Sequence, residues 1–225
     1  EQFQALLQEN GETATDLQVR REGESMTLSV SPEQNETGAY CIGAWIRDSM
    51  AGIGTMTFYD PSTGLFGALG HGINDVDTSL LMPLESGSIM YAEVSDVRKG
   101  QAGEPGELHG AFQVERDLGS LFANTAGGVF GTLTDTGLAD SLDPVPVAAR
   151  SEVKVGPATI LSNIAGDDVE EYTVEIIRVF PAGSHDTREL MVKVTDQRLL
   201  DATGGIVQGM SGSPILQNGK LVGSV

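Results

Sequence analysis

The chain has 225 residues, 40% of them hydrophobic but only 5% aromatic, so a sizeable core must come from Val, Leu, Ile, Met and Ala. A formal net charge of −19 repels a nucleic-acid phosphate backbone and disfavours anionic membrane surfaces, which leaves basic protein segments as the charged partners to expect. The 29 glycines follow no triplet period and point to many turns between short strands.

Phe3, Leu6 and Leu7 have helical spacing, and Gly11 is placed to stop that helix. Leu17, Val19 and Arg21 then alternate with polar residues. A turn at residues 20–25 follows, and Met26, Leu28 and Val30 alternate again up to Pro32. Helix, strand, turn, strand over residues 1–32 resembles the C-terminal half of a bacterial PDZ domain, whose carboxylate-binding loop would lie before Glu1. A plain β-hairpin docking on the next domain is the alternative. Residues 33–37 are polar and read as a linker.

Residues 38–225 form the second domain. Ala39-Tyr40-Cys41-Ile42-Gly43 is an apolar strand-like run, so the single cysteine, Cys41, reads as a buried inert thiol. It leaves no internal disulfide and no cysteine metal site. Asp60-Pro61-Ser62-Thr63-Gly64 is a strong turn between strands at 56–59 and 65–69. Further strands are expected at 89–94, 110–114, 173–180, 190–194 and 214–216. Many short strands with glycine-rich turns and few amphipathic helices predict an all-β barrel or sandwich. Residues 1–7 and 220–225 both read as the inside of a folded unit. The expectation is therefore that the chain is cut at both ends, with further strands after Val225.

The sharpest chemical signal is Gly209-Met210-Ser211-Gly212-Ser213-Pro214. A serine hydroxyl needs a base to become a nucleophile, and the oxyanion it creates needs fixed donors. Flanking glycines let the backbone curl until the N–H groups of Gly209 and Ser211 converge. Ser213 competes with Ser211 for the nucleophile's role, and an ordinary Gly/Ser turn is the bland reading of the whole motif.

A base for neutral pH is most readily a histidine. Of His71, His109 and His185, His71 is favoured. It lies between Gly70 and Gly72 after an apolar run, where a strand ends at an approachable turn. Candidate acids to orient it are Asp48, Asp75, Asp77, Asp117 and Asp196, which spacing does not separate. No cofactor is called for. No HExxH or Cys pair marks a metal site, and no distinguished carboxylate pair supports a glycosidase.

Four stretches taken together resemble the stage IV sporulation protein B family of signalling serine peptidases. They are Ile42-Gly43-Ala44-Trp45-Ile46-Arg47-Asp48, Ala51-Gly52-Ile53-Gly54-Thr55-Met56-Thr57, Phe66-Gly67-Ala68-Leu69-Gly70-His71-Gly72-Ile73 and Gly209-Met210-Ser211-Gly212-Ser213-Pro214. The resemblance implies a chymotrypsin-related β-barrel peptidase preceded by a PDZ module, with His71 as base, Ser211 as nucleophile and Asp196 as acid. On the residues alone, Asp196 reads as a strand-end aspartate capping the turn before Arg198. Met210 stands where trypsin-like enzymes carry an aspartate before the nucleophile, so the oxyanion loop is expected to be shaped by packing around Met210.

The resemblance further implies an extracytoplasmic enzyme in the space between the two membranes around the forespore. Such an enzyme cuts itself and a membrane-anchored regulator of an intramembrane metalloprotease, and so triggers sigma factor activation. The competing reading is a catalytically silent PDZ-containing scaffold.

Overall fold

The computed structural model describes residues 2–21, 23–44, 46, 50–135, 137, 142–181 and 188–225. They fall into two compact units, Glu1–Ala51 and Gly52–Val225.

The first unit opens with α1 (Gln2–Asn10). Gly11 ends it as expected, in the left-handed region at φ +57° and with its N–H on the Leu7 carbonyl at 3.1 Å. Strands β1 (Thr15–Arg21) and β2 (Glu24–Val30) pair as an antiparallel hairpin from Thr15 opposite Val30 to Arg21 opposite Glu24.

Residues 33–37, expected to be a linker, are instead part of a small hairpin. Strand β3 (Glu33–Gln34) pairs with β4 (Tyr40–Cys41). Asn35 builds the turn, its Oδ1 accepting from the Thr37 N–H and hydroxyl and from the Ala39 N–H. The hairpin is fastened to α1, because Gln8 Nε2 donates to the Tyr40 carbonyl at 2.8 Å while Gln8 Oε1 accepts the Tyr40 N–H at 3.0 Å. A polar stretch was legible as a loop, but the glutamine partners that make it structural lie on another element.

The second unit contains two five-stranded antiparallel sheets. The first is built from β5 (Met56–Asp60), β6 (Leu65–Ala68), β7 (Gly87–Arg98), β8 (Glu107–Thr125) and β9 (Gly128–Leu133), in the order β5-β6-β9-β8-β7. The second comprises β10 (Gly156–Asn163), β11 (Val169–Val179), β12 (Leu190–Val194), β13 (Pro214–Gln217) and β14 (Lys220–Ser224), in the order β12-β11-β10-β13-β14. Register shifts between β7 and β8 and between β11 and β12 mark irregularities that curl the sheets. A short helix, α2 (Gln197–Thr203), follows β12. The unit is all-β, of the chymotrypsin-related type that the resemblance implies.

The turn at 60–64 forms as its composition demands. Asp60 Oδ1 accepts from the Ser62 N–H and hydroxyl, the Thr63 hydroxyl donates to Oδ2, and Gly64 takes φ +75°. These bonds hold the Asp60 carboxyl below the usual carboxylate range, the Ser62 hydroxyl being the largest cause.

Strand β9 escaped the sequence pattern because glycines interrupt it. A Cβ on Gly131 would stand 2.3 Å from the Ser120 carbonyl oxygen and 2.6 Å from the Phe66 ring, so its bare Cα is what lets β9 lie between β6 and β8.

The main core belongs to the second sheet. Ile160, Ile176, Leu199, Met210 and Ile215 are essentially inaccessible there, each burial worth roughly 1.5–3 kcal/mol. A smaller cluster of Phe66, Leu118 and Leu133 serves the first sheet. The loop that carries Ser211, residues 207–213, runs out of the main core through Val207 and Met210, and the loop that carries His71 leaves the end of β6.

Candidate active site

The structure brings His71 and Ser211 together across 140 residues of sequence, with Nε2 of the imidazole 2.9 Å from the Ser211 hydroxyl oxygen. The other ring nitrogen, Nδ1, lies 2.9 Å from the Gly72 carbonyl oxygen. A carbonyl only accepts, so this contact assigns the proton to Nδ1 and leaves Nε2 with the lone pair that a general base requires. Ser211 Oγ–H then donates to Nε2, the arrangement that lets the hydroxyl lose its proton as it attacks.

The His71 loop is fixed by Asn124, at the end of β8. Its Oδ1 accepts the Ile73 N–H at 2.8 Å, and its Nδ2 donates to the carbonyls of Ile73 and Met82, both at 2.9 Å. Gly72 is required between them, since a Cβ there would meet the Thr125 carbonyl oxygen at 2.5 Å.

Of the two competing serines, Ser211 is part-exposed, whereas Ser213 is fully buried and its hydroxyl lies 3.3 Å from that of Ser162 on β10. Met210, between Gly209 and Ser211, is fully buried in the main core, as expected of a residue that shapes the loop. The Met210 N–H is used by the Val207 carbonyl, and Gly209 adopts φ +98°. Among the described residues, the N–H groups of Gly209 and Ser211 donate to no protein acceptor. Both are therefore available to an oxyanion formed beside Ser211 Oγ. Gly209 also borders an open cleft of about 380 Å³ whose other walls include Ile53, Leu108, Phe112 and Gln208.

Thr55 ties the two loops to each other. Its N–H donates to the Ser211 carbonyl at 2.8 Å, and its carbonyl accepts from the N–H of Leu69, two residues before His71, at 3.2 Å. Leu69 itself is held at φ +71°, a conformation that costs a branched side chain about 1–2 kcal/mol and that this bond helps to maintain. Nothing in the sequence around Thr55 announces this function, because it is performed by backbone groups. Asn124 was equally silent, since a single asparagine carries no spacing signal.

Asp196, the acid implied by the resemblance, is not brought to the imidazole. It is the N-cap of α2, with Oδ1 accepting from the Arg198 N–H at 2.9 Å and Oδ2 from the Thr173 N–H at 3.2 Å. Arg198 also pairs with it at 3.0 Å and reaches on to Glu170 at 2.8 Å. The Arg198 hydrogen bond is the chief cause that lowers its pKa to about 2, with the two backbone N–H groups helping against partial burial. No hydrogen bond or ion pair joins Asp196 to His71 among the described residues. The reading of Asp196 as a strand-end cap is the one its contacts match.

Among the other candidates, Asp75 caps its own turn through the N–H groups of Asp77 and Thr78, and Asp117 accepts the Gly119 N–H. His109 stands exposed on β8 with Nε2 3.9 Å from Glu107. His185 and Asp48 lie outside the described residues. Cys41 is half-buried rather than buried, its sulfur 3.6 Å from Asn35 Nδ2.

Comparison with known proteins agrees with this chemistry. The family model described as SpoIVB peptidase S55 matches residues 38–225. Neither curated proteins nor solved structures gave a significant match. The family match begins within the first compact unit and extends through the whole of the second, taking in both His71 and Ser211. The chain therefore belongs to the SpoIVB peptidase S55 family, the serine peptidases of sporulation.

Proposed function

We propose that Ser211 and His71 are the working pair of this peptidase, and the 2.9 Å contact between them is the observation that carries the reading. Ser211 Oγ attacks the scissile carbonyl while its proton passes to His71 Nε2. The tetrahedral oxyanion takes the N–H groups of Gly209 and Ser211, and the imidazolium returns the proton to the leaving amine. Water then repeats the sequence on the acyl-enzyme. The Gly72 carbonyl holds Nδ1–H throughout, a weaker orienting partner than a carboxylate.

Labelling with a fluorophosphonate tests the assignment. Ser211 is expected to carry the adduct, and His71→Ala is expected to abolish it. An intact chain that never labels would favour the silent scaffold.

We further propose that the enzyme works outside the cytoplasm, cutting itself and the exposed part of a membrane-anchored regulator of an intramembrane metalloprotease, with sigma factor activation as the outcome. Residues 1–32 would be PDZ-like, which their helix-then-hairpin order supports. The net charge of −19 suits a basic target segment. Incubation with the regulator's extracytoplasmic segment should give discrete cleavage products that Ser211→Ala does not produce. An uncut regulator in the presence of unlabelled enzyme from a preparation whose Ser211 reacts with the fluorophosphonate would exclude that substrate while leaving the peptidase chemistry standing.

A further inference from the structure

The peptide planes around Ser211 are held by a short series of hydrogen bonds, and one of them comes from a side chain on the other sheet. Thr57, on β5, donates its hydroxyl to the Gly212 carbonyl at 2.8 Å, 155 residues away in sequence. On the far side of the same peptide unit, the Ser213 N–H donates to the Met210 carbonyl at 2.9 Å. The Met210 carbonyl shares its own peptide unit with the Ser211 N–H. A trans peptide is planar, with C=O and N–H pointing in opposite directions. Fixing the Met210 carbonyl therefore fixes the direction of the Ser211 N–H, which is one of the two donors left open for an oxyanion.

The intervening unit is anchored at both ends as well, the Ser211 carbonyl accepting from Thr55 and the Gly212 N–H donating to Val225, both at 2.8 Å. All of these anchors except the Thr57 hydroxyl are backbone groups, so Thr57 is where a side-chain substitution can loosen the set.

We infer that Thr57 is a positioning residue for the oxyanion site, acting through Gly212, Ser213 and Met210 on the aim of the Ser211 N–H. It touches no substrate. Its hydroxyl fixes a donor whose benefit appears when negative charge develops on the tetrahedral intermediate, so its loss falls on the chemical step rather than on ground-state binding. The inference rests on Ser211 being the nucleophile.

The test is the kinetics of fluorophosphonate labelling, split into the binding constant and the maximal labelling rate. In that reaction the Ser211 O–P bond forms, the P–F bond breaks, fluoride leaves, and the hydroxyl proton goes to His71, while the phosphoryl oxygen takes the oxyanion position. Thr57→Val keeps the shape and removes the donor. It is expected to lower the maximal rate about 10- to 100-fold, less than outright loss of an oxyanion donor, with the binding constant unchanged within about 2-fold. Thr57→Ser restores the hydroxyl and is expected to recover most of the rate.

A maximal rate in Thr57→Val within about 2-fold of the parent overturns the inference, as does an equal loss in Thr57→Ser. Should Thr57→Val fail to fold, Thr57→Cys, with a weaker donor of similar size, takes its place and should show an intermediate loss. If neither folds while Thr57→Ser does, the hydroxyl is a folding determinant and the positioning role is refuted. Failure of the parent chain itself to label Ser211 would instead sink the assignment of the nucleophile.

Discussion

Ser211 and Ser213 stand two residues apart with hydroxyls in opposite surroundings: one is 2.9 Å from the His71 imidazole, the other is sealed against Ser162 in the core. Gly212, at φ +91°, makes the reversal between them.

That division predicts separate consequences for the two serines. Ser211→Ala should abolish fluorophosphonate labelling and peptide cleavage with little effect on the thermal midpoint, since the side chain is part-exposed. Ser213→Ala should leave labelling within about 2-fold and alter stability by about 1 kcal/mol through the lost hydroxyl pair. Mass spectrometry of the adduct and a thermal melt read both. Loss of labelling in Ser213→Ala with an intact fold would transfer the nucleophile's role to Ser213.

Asp196 should behave as a structural cap. Asp196→Ala is expected to cost about 1–2 kcal/mol, measured by urea denaturation. Its folded pKa near 2 lies below the ordinary carboxylate value of about 3.9. The stability it contributes is therefore fully present above pH about 4 and lost as pH falls towards 2. Asp196→Asn should flatten that part of the stability profile. Unchanged stability accompanied by a large fall in catalytic rate would restore Asp196 as the acid of a triad.

Gly212 packs tightly against Thr55 and Leu69. A Cβ there would stand 2.1 Å from the Thr55 carbonyl oxygen and 2.6 Å from the Leu69 nitrogen, at a φ that L-residues avoid. Gly212→Ala should destabilise the unit by more than about 2 kcal/mol and sever the Thr55–Leu69 contact, with labelling of Ser211 slowed in the folded fraction. A variant with parental melting and labelling would show that the loops are not packed this closely.

Met210 holds the loop that carries Ser211 by burial. Met210→Ala should cost about 2–5 kcal/mol, the cavity cost of a fully buried side chain. Met210→Leu, which conserves volume, should cost less than about 1.5 kcal/mol. Similar losses in the two variants would argue against packing as the loop's determinant.

The chain made several elements legible because the forces behind them are local. Gly11 stops α1 through a left-handed φ and one carbonyl, and Asp60 to Gly64 build their turn from neighbouring hydroxyls. The fit was poorer where a partner lay elsewhere. Strand β9 was hidden by glycines that exist to let Phe66 and Ser120 approach, and residues 33–37 became part of a hairpin through glutamines on α1. Strand β8 was expected over five residues and runs from Glu107 to Thr125, extended by its long pairing with β7.

The sequence by itself determined the chemistry on offer: a glycine-flanked serine preceded by a methionine, a glycine-flanked histidine and an aspartate suited to capping. These follow from residue type and from conformational preferences within a few positions. Tertiary structure decided which serine meets the imidazole and that Thr55, Thr57 and Asn124 hold the site. Those outcomes depend on sheet register and on the contacts of Ser211 with His71 and Thr55, of Thr57 with Gly212 and of Asn124 with Ile73, which join positions more than fifty residues apart, and no local preference encodes a distance of that kind.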